Sequence, residues 1–298
     1  MKRIAIGLII GMLFLPYARA DQFEDISKQQ ASEVFASKDD LSFNGEPKEF
    51  GIFTNYRNSI LKPTEKGAGP FPALVLLHGC GGIADRAMRQ WIEAALKEGY
   101  VVSVVDSMRG NRTNCNPPVP VTTGRRLKDA YDALALLSKL AIVDPKRIAV
   151  AGFSQGGAIT MLSGSKNMVA LYSPSGRFAA GVAIYPLCVI PAKFAKFDVE
   201  YLRTDLEIPL LALMGGDDLF TPAQECIPLL EKLREQKLPV EWYLFPKATH
   251  VWDAPDLDGY TMTTYRGTRV TFRYDPAVTE DSRKRLFDFL TIRMGTTR

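Results

Sequence analysis

The sequence predicts a single α/β domain built around a mostly parallel sheet. From residue 50 onward, short apolar runs alternate with amphipathic stretches, which is typical of strands separated by helices in a parallel sheet. The composition, 46% hydrophobic and 23% charged among 298 residues, is that of a folded chain, because a disordered one would be more polar. Since no repeat or linker divides the sequence, we expect one domain over residues 46–298.

Each element is predicted from its own pattern. Uninterrupted apolar runs of four to seven residues indicate buried strands, and Ala130, Leu134 and Leu137 share one face of a predicted helix. Thr and Tyr alternate around Arg266-Gly267, which indicates a hairpin between residues 257 and 274. The predicted strands are 73–77, 100–105, 148–151, 179–185, 209–214 and 241–245, and the predicted helices are 84–97, 123–140, 155–162, 222–236 and 279–294.

Residues 1–20 have the features of a secretory signal peptide. Lys2 and Arg3 precede an apolar run over residues 4–16, and Ala18-Arg19-Ala20 is a small-x-small cleavage site. That run is shorter than the ~20 residues of a spanning helix, which disfavours a single-pass anchor. We therefore expect an exported protein, periplasmic or secreted, that has no stable membrane insertion after signal cleavage.

Cleavage changes the charge balance of the chain. Removing Lys2, Arg3 and Arg19 leaves 34 Lys and Arg against 33 Asp and Glu, so the net charge falls from +4 to +1. A nearly neutral mature chain without a basic stripe argues against nucleic acid as a partner. Residues 21–45 are polar and weakly periodic, and we expect them to form a loose N-terminal arm.

The chain contains four cysteines, and thiols in an oxidising compartment tend to pair. The count alone leaves all three pairings open. There is no C-x-x-C motif, and His78 and His250 are the only histidines, so the spacing does not resemble a zinc site. We expect neither a metal nor an organic cofactor.

The strongest local signal is the sequence GFSQGG at residues 152–157, centred on Ser154. It follows an apolar predicted strand and opens an apolar predicted helix, which is the context in which G-x-S-x-G forms a nucleophile elbow. Glycine is needed on both sides because a side chain would clash with neighbouring backbone. Ser154 is therefore the predicted nucleophile.

A serine hydroxyl needs a base, and His250 is the only histidine downstream. It lies in a predicted loop after the last strand, whereas His78 ends a strand beside Gly79 and is interpreted as a structural residue. The order Ser, acid, His requires an acid between them. Asp217 and Asp218 both follow the predicted strand 209–214, and the residue pattern leaves the choice open.

Together these motifs resemble the dienelactone hydrolase family within the α/β-hydrolase superfamily. The resemblance covers residue 50 to the C-terminus and implies an α/β-hydrolase fold, an eight-stranded type of sheet with helices on both faces. The matching segments are LHGCGG at 77–82, DPKRI at 144–148, GFSQGG at 152–157, YPLC at 185–188, GDDLFTP at 216–222 and ATH at 248–250.

The family pattern implies roles for individual residues. It places the acid four residues before a proline, which selects Asp218, and it forms an oxyanion hole from the backbone N–H groups of Cys80 and Gln155. It also implies the disulfides Cys80–Cys115 and Cys188–Cys226, the pairing that joins loops of neighbouring strands in the family's sheet. The expected function is a serine hydrolase that cleaves a carboxylic ester or lactone through an acyl-enzyme.

The substrate is less well defined by the sequence. The namesake enzymes use a cysteine nucleophile assisted by a glutamate near the oxyanion loop, and this chain has neither. Arg109 and Arg112 could bind a substrate carboxylate or be simple loop charges, and Phe153 and Trp252 could line a pocket or belong to the core. We carry Arg109, Phe153 and Trp252 as candidate substrate-binding residues for a small molecule; oligomeric state is not predicted.

Three alternative functions compete with the esterase. GCGGIA at residues 79–84, with Asp106 after the next strand, also fits a dinucleotide-binding fingerprint. An α/β-hydrolase fold can also serve a catalytically silent binding protein. A peptidase of prolyl-oligopeptidase type would share the elbow, but such enzymes usually carry a large additional domain for which this chain has no room.

Overall fold

The structure is a computed structural model that describes residues 15–295, except 38, 65–66, 112, 114, 116–119, 174–175 and 194–197; side chains are described from residue 22 onward. The helices are α1 (Leu15–Ala36), α2 (Asp85–Lys97), α3 (Thr123–Leu137), α4 (Gln155–Leu162), α5 (Lys166–Tyr172), α6 (Ala223–Glu235) and α7 (Pro276–Met294), with a 3-10 turn at Pro255–Leu257. The strands are β1 (Asn44–Lys48), β2 (Ser59–Leu61), β3 (Phe71–Leu77), β4 (Val101–Val105), β5 (Val143–Phe153), β6 (Ala180–Ile184), β7 (Val189–Ile190), β8 (Val199–Glu200), β9 (Leu210–Gly215), β10 (Val240–Phe245), β11 (Thr261–Thr263) and β12 (Arg269–Thr271).

The described strands form an eight-stranded central sheet in the order β1-β2-β4-β3-β5-β6-β9-β10. Every neighbouring pair is parallel except β2 with β4. The central strands are buried along their whole length, which explains their uninterrupted apolar runs. The predicted α/β fold and its mostly parallel sheet are therefore confirmed.

Alternate residues of the central strands supply two cores, one on each face of the sheet. Ala73, Val75 and Leu77 of β3 point to the side covered by α3, α4, α5 and α6, while Leu74 and Leu76 point to the side covered by α2 and α7. Because the carboxyl ends of all the parallel strands meet at one edge, loops after β3, β5, β9 and β10 converge there.

The expectation of a loose N-terminal arm is wrong over most of its length. Residues 22–36 belong to α1, which buries Ala31 and Val34 in the core that contains α3. Arg125 of α3 donates to the carbonyl of Val34 and to Asp40. The sequence pattern missed this helix because its buried face is narrow, with only small side chains between long polar ones.

Other differences concern short elements and ends. The predicted helix 123–140 ends at Leu137, and the predicted strand 148–151 extends to Val143–Phe153. The hairpin expected between residues 257 and 274 is present as the antiparallel pair β11 and β12. Within the described residues, no helix is both long enough and apolar enough to cross a bilayer.

Candidate active site

Ser154 occupies a strained turn between β5 and α4. Its backbone has φ 54° and ψ −116°, a region that a residue with a side chain rarely adopts. A Cβ on Gly152 would lie 2.1 Å from the carbonyl oxygen of Gly156, and one on Gly156 would lie 2.2 Å from that of Leu77. The predicted need for glycine on both sides of the serine is therefore confirmed by the geometry.

His250 reaches Ser154 from the loop after β10. Its Nε2 lies 3.0 Å from Ser154 Oγ, and both residues are buried. Two glycines at the end of β9 allow this loop to approach closely, because a Cβ on Gly215 or Gly216 would lie within 2.4 Å of a carbonyl oxygen in residues 246–248. The serine and the histidine are thus within hydrogen-bonding distance although 96 positions separate them.

Asp218, rather than Asp217, contacts the histidine. Asp218 Oδ2 lies 2.7 Å from His250 Nδ1, while Oδ1 accepts hydrogen bonds from the backbone N–H groups of Phe220 and Thr221 at 2.8 and 2.9 Å. The Thr221 hydroxyl lies 2.9 Å from Oδ2. Asp217 is exposed and its backbone N–H donates to the carbonyl of Ala248. The structure therefore brings Ser154, His250 and Asp218 into one hydrogen-bonded chain.

Aromatic rings enclose the imidazole of His250. Phe220 stacks on it with ring centroids 4.8 Å apart, and Tyr185 meets it edge-on at the same distance. The Tyr185 hydroxyl donates to Asp253 Oδ1 at 2.8 Å, and Trp91 Nε1 donates to Asp253 Oδ2 at 2.7 Å. No sequence motif singles out Asp253, although it lies three residues after His250 in the same loop.

Burial keeps the hydroxyl of Tyr185, the ring that meets His250 edge-on, in its neutral form. Desolvation raises the pKa of the Tyr185 hydroxyl well above its ordinary value, and desolvation also raises the pKa of Asp253. Since Tyr185 and Trp91 both donate to the Asp253 carboxyl group, the loop that carries His250 is tied to β6 and α2. This fixes the position of the imidazole relative to the sheet.

The loop after β3 passes directly beside Ser154. A Cβ on Gly79 would lie 3.4 Å from the Cβ of Ser154, and the next residue is Cys80. The Thr113 hydroxyl donates to the carbonyl of Cys80 at 2.9 Å. Gln155 is the first residue of α4, so its backbone N–H is one of the donors without a partner in the helix. Both candidate oxyanion donors therefore belong to segments that adjoin Ser154.

Two disulfides are present, Cys80–Cys115 and Cys188–Cys226. They are the pairs that the family resemblance implies. The first bridges the loop after β3 to residue 115, and the second joins the segment after β6 to α6. Two disulfides fit a protein of an oxidising compartment.

Arg109 does not fit the expected role in substrate binding. All five of its donors have acceptors: it contacts Asp39, Asp129 and the carbonyl of Ser107. The guanidinium thereby partners the buried Asp129, whose pKa burial raises to about 6. Arg109 is thus an internal partner of Asp129, and the companion residue Arg112 lies outside the described residues.

Phe153 and Trp252 lie in a hydrophobic core of the described residues. Phe153 is 5% exposed and packs on Trp91 with ring centroids 5.3 Å apart. Trp252 is fully buried, meets Tyr185 edge-on and directs its indole N–H to the hydroxyl of Ser282. The expectation that they bind substrate is wrong because both belong to the core beneath α2 and α7.

A cavity of about 250 Å³ lies on one side of His250. Its walls come from the loop after β9, from His250 itself and from the hairpin strand β12. Apolar and polar groups both contribute, and the lining residues are Asp217, Leu219, Phe220, Thr249, His250, Arg269, Val270, Thr271 and Phe272. The hairpin was predicted as an element, but its place beside the histidine was not, because contacts across the chain leave no local pattern.

Residues 59–293 match the dienelactone hydrolase family. The chain belongs to the dienelactone hydrolase family. This membership makes it a carboxylic ester hydrolase, and the sheet described above is the corresponding α/β-hydrolase fold. The match starts at β2 and ends in α7, so it includes every residue of the hydrogen-bonded chain.

Individual relatives are more distant. A Yersinia pestis protein assigned as a carboxymethylenebutenolidase is 25% identical over 206 residues, which cover 65% of this chain and 73% of that protein. Human prolyl endopeptidase FAP is 28% identical over 149 residues, 47% of this chain but only 18% of that protein. The solved structure of a Klebsiella pneumoniae protein assigned as a dienelactone hydrolase superposes with a TM-score of 0.59 at 19% identity, covering 76% of this chain and 89% of that one.

Proposed function

We propose that the chain is an exported serine hydrolase that cleaves a small carboxylic ester or lactone through an acyl-enzyme, with Ser154, His250 and Asp218 as its triad. The observation that carries this proposal is the continuous chain from Ser154 Oγ to His250 Nε2 and from His250 Nδ1 to Asp218 Oδ2, at 3.0 and 2.7 Å. Its serine sits on the strained strand-to-helix turn that is typical of a nucleophile elbow.

The reaction follows from the positions of these groups. Ser154 Oγ attacks the carbonyl carbon while His250 Nε2 accepts the hydroxyl proton, and Asp218 stabilises the resulting imidazolium. His250 then donates that proton to the leaving alkoxide, which departs as an alcohol from an ester and stays attached to the acyl group as a hydroxyl from a lactone. His250 next takes a proton from water, which attacks the acyl-enzyme, and returns it to Ser154 Oγ as the carboxylic acid is released.

The tetrahedral intermediates carry a negative oxygen that needs donors. We assign this role to the backbone N–H groups of Gln155 and Cys80, which directly follow Ser154 and Gly79. Such donors act only as charge develops, and removal of one typically lowers kcat about 10²- to 10³-fold. They supply the electrostatic part of catalysis, and the triad supplies the nucleophile and the proton transfers.

The small cavity beside His250 is a candidate place for one part of the substrate. At about 250 Å³ it lies below the roughly 300–1,000 Å³ of pockets for drug-sized ligands. Phe220, Val270 and Phe272 offer an apolar surface for a short acyl or alkoxy group. The carboxymethylenebutenolidase relative is named for a lactone substrate, and a lactone is one form of ester that would fit such a cavity.

Export rests on the N-terminal sequence and is supported by the two disulfides. Cleavage after Ala20 would leave on the mature chain the part of α1 that buries Ala31 and Val34. The proposal predicts that the protein isolated from its native envelope or medium begins at Asp21. An N-terminus at Met1 on the exported protein would contradict it.

The test of the proposed function is labelling with a fluorophosphonate, followed by mass spectrometry of the adduct. We expect one adduct on Ser154 in the wild type and none in Ser154→Ala, with hydrolysis of a short-chain aryl ester lost in parallel. A folded wild type that neither labels nor hydrolyses would instead support a catalytically silent binding protein.

The match to prolyl endopeptidase FAP supports a peptidase as a second candidate. The same labelled enzyme preparation can be assayed with a prolyl p-nitroanilide beside the aryl ester and a small lactone. We expect turnover of the ester or lactone to exceed that of the anilide. Faster turnover of the anilide would replace the esterase proposal with the peptidase.

A further inference from the structure

The two proposed oxyanion donors belong to different segments of the chain. Cys80 lies in the loop after β3, and Gln155 begins α4 after β5. An oxyanion hole works only when its donors keep a distance of about 2.7–3.1 Å from the developing charge, so the two segments need a fixed separation. The contacts between them are therefore part of the catalytic geometry.

One buried side chain connects these two segments. Arg126, in the first turn of α3, is 2% exposed, and its two terminal nitrogens point to different partners. One donates to Gln155 Oε1 at 2.6 Å, and the other donates to the carbonyl oxygen of His78, two residues before Cys80. The guanidinium is planar and its donors are fixed relative to each other, so it acts as a rigid spacer.

The backbone around Arg126 sets the closest approach of the same two segments. A Cβ on Gly156 would lie 2.6 Å from the carbonyl oxygen of His78, so only glycine allows α4 to pack this closely. The carbonyl oxygen of Leu77 would lie nearer still, at 2.2 Å, and the adjacent carbonyl of His78 is the one that Arg126 binds. The contact at Gly156 keeps the two segments from moving closer, and the hydrogen bonds of Arg126 keep them from moving apart.

Among the described residues Arg126 forms no ion pair, although the charge of Asp129 acts on it from a greater distance. Burial lowers the pKa of Arg126 to about 10, which leaves the guanidinium charged at neutral pH. No carboxylate of the described residues lies within ion-pair distance of it, and its Nε has no acceptor among them. A buried cation whose hydrogen bonds within the described part of the chain go to neutral oxygens is costly to fold, so these contacts give no stability reason for an arginine here.

We infer that Arg126 is a positioning residue that holds the Cys80 and Gln155 amides at the separation the oxyanion requires. The inference rests on the proposed function and deepens it. It predicts that loss of Arg126 weakens binding of the transition state and leaves binding of the ground-state substrate nearly unchanged. A merely structural role would change stability and the active fraction without this selectivity.

The neighbouring Arg125 provides a matched control. It lies in the same turn of α3, is 6% exposed and donates to Asp40 and to the carbonyl of Val34 in the N-terminal segment. Arg125→Met therefore removes an equally buried guanidinium on the side away from the oxyanion hole. We expect it to lower stability while kcat stays within about twofold of wild type.

The experiment compares Arg126→Met, Arg126→Lys and Arg125→Met with the wild type. For each, kcat and KM are measured on an aryl ester, together with inhibition constants for a trifluoromethyl ketone, which forms a tetrahedral adduct, and for the corresponding alcohol, which does not. For Arg126→Met we expect kcat to fall about 10- to 100-fold and the ketone constant to rise by a similar factor, with KM and the alcohol constant within about threefold. Arg126→Lys should recover part of both losses.

Several results would overturn the inference. Wild-type kcat in a folded Arg126→Met would do so, and so would equal changes in the ketone and alcohol constants. If Arg126→Met does not fold, Arg126→Lys decides: a fall in kcat without a matching rise in the ketone constant excludes the positioning role. A wild type that binds the ketone no better than Ser154→Ala would overturn the proposed function itself, and with it this inference.

Discussion

The two histidines of the chain occupy comparable places and have different surroundings. His78 and His250 are both buried, and both follow the carboxyl end of a sheet strand. His78 Nδ1 lies 2.6 Å from the carbonyl oxygen of Gly79, and its Nε2 is 3.8 Å from Asp106. His250 instead lies between a carboxylate and a serine hydroxyl, at 2.7 and 3.0 Å.

This difference shows that burial alone does not make a histidine a base. Burial, with help from the nearby cation Arg126, lowers the pKa of His78 to about 3, so His78 stays neutral at physiological pH. Asp218 places a carboxylate oxygen 2.7 Å from His250 Nδ1, where it would stabilise the imidazolium formed during the proposed reaction. The partners of the two ring nitrogens therefore distinguish His78 from His250, the histidine that we propose as the base.

The largest predicted effect comes from replacing each histidine by glutamine. We expect His250→Gln to lower kcat at least about 10⁴-fold, because the serine loses its proton acceptor, and His78→Gln to lower it less than about tenfold. Steady-state hydrolysis of an aryl ester measures both. A greater loss in His78→Gln than in His250→Gln would reverse the assignment.

The next effect separates the two neighbouring aspartates. Asp218→Asn should lower kcat about 10³- to 10⁴-fold, because the amide can no longer stabilise the imidazolium. Asp217→Asn is the matched comparison, since Asp217 is exposed and the carboxylate at His250 Nδ1 belongs to Asp218. Because Asp217 lines the cavity beside His250, this variant can change KM, but its kcat should fall less than about tenfold. Comparable losses in both variants would contradict the contact seen at His250 Nδ1.

A third prediction concerns acid stability. The folded-state pKa of His78, about 3, lies below its ordinary 6.5, so between these values the unfolded chain binds more protons and stability falls as pH falls. We expect the wild type to lose about 2–3 kcal/mol more than His78→Gln in the free energy of unfolding between pH 7 and 4.5. Urea titrations at the two pH values measure this, and parallel losses would show that His78 does not titrate as stated.

The smallest effect compares the two disulfides. They close loops of similar length, with sequence separations of 35 and 38, so double Cys→Ala variants should lose similar stability. Only Cys80–Cys115 holds the loop beside Ser154, and its loss should lower kcat about tenfold while loss of Cys188–Cys226 changes it less than about twofold. Equal kcat in the two folded variants would show that the Cys80–Cys115 disulfide does not position the loop after β3 for catalysis.

Sequence reasoning predicted the sheet and the residues of the hydrogen-bonded chain for a physical reason. Strand burial leaves apolar runs, and the elbow at Ser154 requires glycines at fixed spacing. Asp218 could be separated from Asp217 only through the family resemblance, because adjacent carboxylates at a strand end look alike in sequence.

What the sequence could not predict depends on contacts between distant segments. Arg109 pairs with Asp129 and Asp39 across 20 and 70 positions, and no local pattern reports such a pairing. The sequence leaves Trp252 open between a pocket and the core, and the structure buries it fully. The hydrogen bonds of Arg126 likewise reach across 48 positions to His78 and 29 to Gln155.

The central claim is that catalysis passes through an acyl group on Ser154. Rapid quenching of the enzyme with a slowly deacylating pivaloyl aryl ester, followed by peptide mass spectrometry, tests it most directly. We predict a pivaloyl adduct on the peptide containing Ser154, formed as the phenol is released and absent from Ser154→Ala. Phenol release with no adduct, or with an adduct on another residue, would contradict the proposed mechanism.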